Sequence, residues 1–155
     1  MSEKHELSRD HFGLYIGGEW REASGGQTLD AENPATGDPL AQIADATKED
    51  VDAAAAAARA AFAGWAEKPV AERSQAMLDI ADLIEENLQY LATVESLDNG
   101  KPIRETSAAD VPLAVDHFRY FAGCMRADEG AATMLDPNTL NIILREPLGV
   151  IGQIV

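Results

Sequence analysis

Residues Arg145 to Val155 read REPLGVIGQIV, and this stretch decides the fold class. After Pro147 the apolar side chains Leu148, Val150, Ile151, Ile154 and Val155 would occupy both faces of an extended segment, with Gly149 and Gly152 between them. A strand that is apolar on both faces belongs inside a parallel sheet, where helices cover it above and below. The expected class is therefore α/β. A bare apolar strand is a poor place for a domain to stop, so further strands are expected to follow Val155. Gly149-Val-Ile-Gly152 resembles part of a dinucleotide fingerprint. It lacks the third glycine and no helix follows it in the sequence, so glycines giving close packing explain it equally well.

Upstream, Ala132 to Leu135 (ATML) and Leu140 to Glu146 (LNIILRE) flank Asp136-Pro137-Asn138-Thr139, a hairpin pattern. Leu140, Ile142 and Leu144 alternate with Asn141, Ile143 and Arg145, as in a half-buried strand. Three helices precede it. The first is capped at Thr47, with Asp50 completing a capping box, and runs through Ala53–Ala58. Val51, Ala54, Ala58, Phe62 and Trp65 make its apolar stripe. The second opens at Lys68-Pro69 and runs to Asp98-Asn99-Gly100, where Gly100 suits a left-handed cap and Pro102 blocks continuation. The third spans about 109–128, with Asp110 as cap, Pro112 in the first turn and Gly130 ending it. Val115, Phe118 and Ala122 share one of its faces.

At the amino end, Leu14 to Ile16 and Trp20 form strands around Gly17-Gly18, a two-residue hairpin turn. TLDAE and PLAQIADA are further strand candidates, and residues 1–12 read as a flexible tail. There is no internal repeat.

Charge excludes several functions. Twelve Lys and Arg stand against 27 Asp and Glu, for a net charge of −15 and only four lysines. Such a surface repels phosphate backbones and anionic lipid, so neither nucleic acid nor membrane is an expected partner. No apolar run is long enough to cross a bilayer. The polar start, MSEKHELSRDHFG, is unlike a signal peptide, and one cysteine excludes an internal disulfide framework. The expected compartment is the cytoplasm.

Residues that carry chemistry are sparse. Cys124, within FAGCMRA on the third helix, reads as a small core hydrophobe. His5 and His11 lie in the tail, and His117 has no second ligand at zinc spacing. The carboxylates are better explained as a solvated face than as an acid–base pair.

Taken in order, YIGGEW (15–20), ENPATG (32–37), AFAGW (61–65), ERSQAMLDIADLIEEN (72–87), LDNGKP (97–102), DHFRYFAG (116–123) and REPLGVIGQIV (145–155) resemble the amino-terminal segment of the aldehyde dehydrogenase superfamily. The stretch ADVPLAVDHFRYFAGCMRADEG (109–130) looks most like the bacterial acetaldehyde dehydrogenase branch, which acts on short aliphatic aldehydes. The resemblance implies the amino-terminal part of a Rossmann-like cofactor-binding domain over residues 13–126. It also implies an oligomerisation hairpin over 127–146, crossing between subunits of a homodimer or homotetramer, and the first strand of the dinucleotide-binding sheet over 147–155.

The cofactor implied is NAD or NADP, with Ile154 and Val155 at the floor of its site. In the family a thiolate adds to the aldehyde, preorganised donors hold the oxyanion, hydride leaves to the nicotinamide, and a glutamate-activated water releases the acid. The nucleophilic cysteine, the glutamate and the oxyanion-hole asparagine would all lie beyond Val155. No catalytic residue is expected within the 155, and Cys124 does not match the nucleophile's motif. Some members hold a monovalent cation near the cofactor domain. The matching positions are Asp98, Ala31 and Glu32, although a cap or hydrogen bond around the Gly100 turn is the more ordinary role for Asp98.

Burying Leu148, Val150, Ile151, Ile154 and Val155 would stabilise by about 1.5–3 kcal/mol each, a sum comparable with the net stability of a whole domain. Without neighbouring strands that gain is lost, so the isolated chain is expected to aggregate or be partly molten. The competing expectation is a non-enzymatic interaction module that docks through its exposed strand and hairpin.

Overall fold

The structure is a computed structural model that describes residue 7 and residues 9–154. Two small β units precede a helical body, and a β-hairpin follows it. The first hairpin pairs β2 (Leu14–Ile16) with β3 (Glu19–Arg21), turning on Gly17 and Gly18. Both glycines have positive φ (65° and 88°), the geometry of the tight turn anticipated from the Gly-Gly pair. Tyr15 and Trp20 face each other across it, with ring centroids 5.2 Å apart.

A three-stranded sheet has the order β1-β5-β4, from β1 (His11–Phe12), β4 (Thr28–Glu32) and β5 (Pro39–Ala44). β4 and β5 run antiparallel, and β1 pairs parallel to β5, His11 opposite Gln42. The expected tail is therefore structured at its end: Arg9 also stacks over the rings of Phe12 and Trp20, at 5.6 and 5.1 Å. Residues 1–6 and 8 lie outside the described residues.

Helix α1 (Lys48–Ala66) starts at the capping box read from the sequence. Thr47 Oγ1 accepts from the Asp50 N–H, and Asp50 Oδ2 accepts from the Thr47 N–H at 2.9 Å. The expected apolar stripe is only partly covered. Phe62 is half-buried, whereas Val51 and Trp65 are exposed, because little besides the β2–β3 hairpin lies against this helix.

The long second helix is two helices, α2 (Val70–Glu86) and α3 (Leu88–Asn99), which is a correction. They join at Asn87, whose backbone departs to φ −102°, ψ 17° while its side-chain amide donates to the Leu83 carbonyl at 2.8 Å. Asparagine competes in this way with the helical ladder, and apolar periodicity does not register it. Helix α3 ends as anticipated on Gly100 at φ 76°.

The expected cap at Asp110 is also corrected. A short helix α4 (Ile103–Glu105) passes through a π-helical turn, Thr106–Asp110, into α5 (Val111–Ala127). Asp110 is helical and pairs with Lys101 instead of capping. Buried Thr106 fixes the wide turn by donating to the Ala92 carbonyl at 3.0 Å.

The core is where α2 and α5 pack. Ser74 lies against Ala122 while Asp82 and Glu85 reach Arg119, so the two helices run antiparallel. Buried here and under α3 are Ser74, Ala81, Ala92, Thr106, Val111, Val115 and Ala122. Val115 and Ala122 take the face expected of them, with Phe118 half-buried beside them.

Strands β6 (Ala131–Asp136) and β7 (Thr139–Ile143) form the last hairpin, with Met134 opposite Leu140 and a bulge at Leu135. Its strands are exposed on both faces, so the half-buried alternation expected of Leu140, Ile142 and Leu144 is not realised. Residues 147–154 form no strand. Leu148 is 94% exposed and Ile151 67%, because no neighbouring strand among the described residues offers a hydrogen-bond ladder.

Candidate functional site

Ile154, expected at a cofactor floor, is fully exposed at the end of an extended segment, and Val155 lies outside the described residues. An apolar side chain suits contact with the face of a nicotinamide ring. The sheet that would carry that face is not assembled among the described residues.

The positions expected near a cation lie beside two turns. Ala31, half-buried, and Glu32, exposed, end β4 at a shift of register against β5. The chain then turns through Asn33 to Asp38, closed by the Asn33 N–H donating to the Asp38 carbonyl at 2.9 Å. Asp98 is exposed in the last turn of α3. The two turns abut: a Cβ on Gly100 would stand 3.1 Å from Pro34 Cγ and 3.7 Å from the Ala35 nitrogen. The side chain that hydrogen-bonds around the Gly100 turn is that of Asn99, whose Oδ1 accepts from the Lys101 N–H at 2.7 Å. That role does not fall to Asp98. Among the described residues no group of three or more His, Cys, Asp and Glu side chains gathers as a metal site.

Cys124 is half-buried, not fully cored, and lines an open cavity with Met77, Phe121, Met125, Ala127 and Asp128. Its hydrogen bond with Tyr120 pushes the phenol above its ordinary range. Among the described residues no cationic side chain lines this cavity.

Two polar networks escaped the sequence reading. Asp50 is buried, and beyond the capping box it accepts from the Ser24 N–H at 3.0 Å and the Ser24 hydroxyl at 3.2 Å. The Thr47 N–H, with further help from Ser24, holds its carboxyl below the usual range. This network joins the loop after β3 to the start of α1. Arg119 donates to Asp82 at 2.8 Å and to Glu85 at 2.7 Å, holding Glu85 below its ordinary value. The spacing of Asp82 and Glu85 shows one acidic helix face, but nothing in the sequence assigns Arg119 to it. The Nε of Arg73 on α2 is buried with no hydrogen-bond partner among the described residues.

A family model described as the aldehyde dehydrogenase family matches residues 20–155. The chain is similar to acetaldehyde dehydrogenase 2 of Cupriavidus necator, 52% identical over 141 residues, covering 91% of this chain and 28% of the relative. It is 50% identical over 141 residues to aldehyde dehydrogenase B of Escherichia coli, again covering 91% of this chain and 28% of the relative. Among solved structures, the NAD+ complex of an aldehyde dehydrogenase from Bacillus cereus superposes with a TM-score of 0.82 at 41% identity, over 85% of this chain and 27% of that one. The chain thus spans under a third of the length of the relatives it matches. Its α/β architecture agrees with the amino-terminal, NAD-binding part of these enzymes. No described helix is long and apolar enough to cross a membrane. With the match running through the Asn33 and Gly100 turns and the paired helices, the chain belongs to the aldehyde dehydrogenase family.

Proposed function

We propose that these residues are the amino-terminal segment of an NAD(P)-dependent aldehyde dehydrogenase that oxidises a short aliphatic aldehyde to its carboxylic acid in the cytoplasm. The observation that carries this reading is the 52% identity to an acetaldehyde dehydrogenase over almost the whole chain. NAD is the favoured cofactor, since the superposed Bacillus cereus enzyme is an NAD+ complex. In this reading residues 13–126 contribute scaffold to the cofactor-binding domain. Residues 147–155 become the first strand of its parallel sheet once the neighbouring strands are present, with Ile154 and Val155 against the cofactor. A nicotinamide cofactor would supply the hydride acceptor. What this chain supplies is apolar wall and position, and none of its 155 residues reacts.

Residues 127–146 form the contact with a second subunit. The hairpin is apolar on both faces, with Met134, Leu135, Leu140, Ile142 and Ile143 all exposed. A two-stranded hairpin is marginal in water without cover, and its edges carry none of the lysines or prolines that discourage strand pairing. At the Pro34–Gly100 contact, Asp98 and the carbonyls of Ala31 and Glu32 are proposed to hold a monovalent cation. K+ or Na+ stabilising the enzyme no better than a bulky organic cation would rule this out.

The test compares the complete polypeptide carrying this segment with the 155 residues alone, following NADH formation from acetaldehyde. Turnover only by the complete polypeptide is expected. Turnover by the 155 residues alone, or none by the complete polypeptide with any short aldehyde and either cofactor, overturns the reading.

A further inference from the structure

Strands β6 and β7 pack mainly on each other, so the direction in which the hairpin leaves the helical body is set at its base. Two features meet there. Helix α5 ends at Asp128, whose backbone turns to the extended region (φ −76°, ψ 106°) and whose Oδ1 lies 2.7 Å from Nε of Arg145 on the returning leg. Two residues on, a Cβ at Gly130 would stand 2.6 Å from the Ile143 carbonyl oxygen, too close for any side chain. The outgoing and returning legs are therefore drawn together by a charge pair and allowed to touch by a glycine.

We propose that Asp128, Arg145 and Gly130 form a latch that holds the hairpin at the angle a second subunit requires. Asp128 and Arg145 are positioning residues that act through the hairpin. This proposal rests on the reading of residues 127–146 as a subunit contact. Without the latch the arm samples many directions, and association is weakened by the fraction of time it points correctly. The pair is exposed, 67% at Arg145 and 47% at Asp128, so its contribution is that of a surface ion pair and is screened by salt.

The experiment measures subunit association of the complete polypeptide by sedimentation equilibrium. Asp128→Asn and Arg145→Gln should each weaken association by about two- to fivefold per subunit at low salt, with the thermal midpoint of the helical body unchanged. Gly130→Ala should weaken it further by forcing the legs apart. The exchanged pair, Asp128→Arg with Arg145→Asp, should restore association, which a mere loss of surface charge would not. Ile142→Asp is the control for the contact itself. If Ile142→Asp dissociates the subunits while the single substitutions do nothing, or the exchanged pair fails to restore, the latch is wrong and the contact stands. If Ile142→Asp leaves association intact, the contact reading falls and the latch with it.

Discussion

The hydroxyl of Ser74 on α2 donates to the backbone carbonyl of Ala122 on α5 at 2.8 Å, and both residues are 2% exposed or less. This bond sits where two helices come nearly backbone to backbone. Ser74→Ala removes the donor and leaves a carbonyl with one partner fewer, at a cost of about 1 kcal/mol. Ser74→Val adds bulk that the site cannot accept and should cost about 1–3 kcal/mol. Urea unfolding midpoints would give the order wild type, alanine, valine; a valine variant as stable as wild type would contradict the close approach.

Asp50 predicts an acid-sensitive junction. Its folded-state pKa is depressed, first by the Thr47 N–H, so its contribution to stability is present above the unfolded value near pH 4 and is lost as pH falls through the lower folded value. Asp50→Asn should flatten the acid limb of a stability–pH curve below the unfolded value near pH 4 while lowering the plateau above it. An Asn variant that keeps the wild-type acid limb would show that other carboxylates carry the effect.

Gly100 is needed twice over, for its φ of 76° and for its contact with Pro34. A left-handed alanine costs about 1–2 kcal/mol, and its Cβ would also press on the proline ring. Gly100→Ala should therefore lower the unfolding midpoint, whereas Gly64→Ala, at a helical site with open space around it, should raise it. Equal effects at both sites would refute the argument.

The 155 residues alone should bind a hydrophobic dye and scatter light on warming, because Leu144, Leu148, Ile151 and Ile154 are more than two-thirds exposed. Paired substitutions Ile151→Asp and Ile142→Asp should suppress both signals. A sharp, reversible, monomeric melt without dye binding would count against the prediction.

Local chemistry was legible in the sequence wherever a few adjacent residues decide it. The Thr47–Asp50 cap, the Gly17-Gly18 turn and the Gly100 stop all depend on backbone rules within one turn of chain, and each is found where the residues put it. The break at Asn87 was hidden because the apolar repeat continues in phase through it. The π-helical turn before Val111 was hidden because Thr106 acts through a carbonyl 14 residues away. The strand expected over 147–155 shows a different limit. Its apolar pattern is real, but a parallel strand exists only with neighbours, and the described residues supply none. Of the candidate site, the meeting of the Asn33 and Gly100 turns follows from tertiary packing alone. The family resemblance rested on seven short blocks in order, a pattern spread along the whole chain and so robust to any one local misreading.

Among the described residues the most completely hidden are small, Ala81, Ala92, Thr106, Ala122 and Ser74, while Trp20, Tyr120 and Phe121 stand in the open. This inverts the usual map of mutational tolerance. In a saturation scan scored on the folding of this segment, the alanines would be the intolerant sites and the aromatics nearly silent. Scored instead on the complete polypeptide proposed above, the aromatics and the hairpin leucines would lose their tolerance. The difference between the two maps would trace, residue by residue, the footprint of everything that rests on this piece.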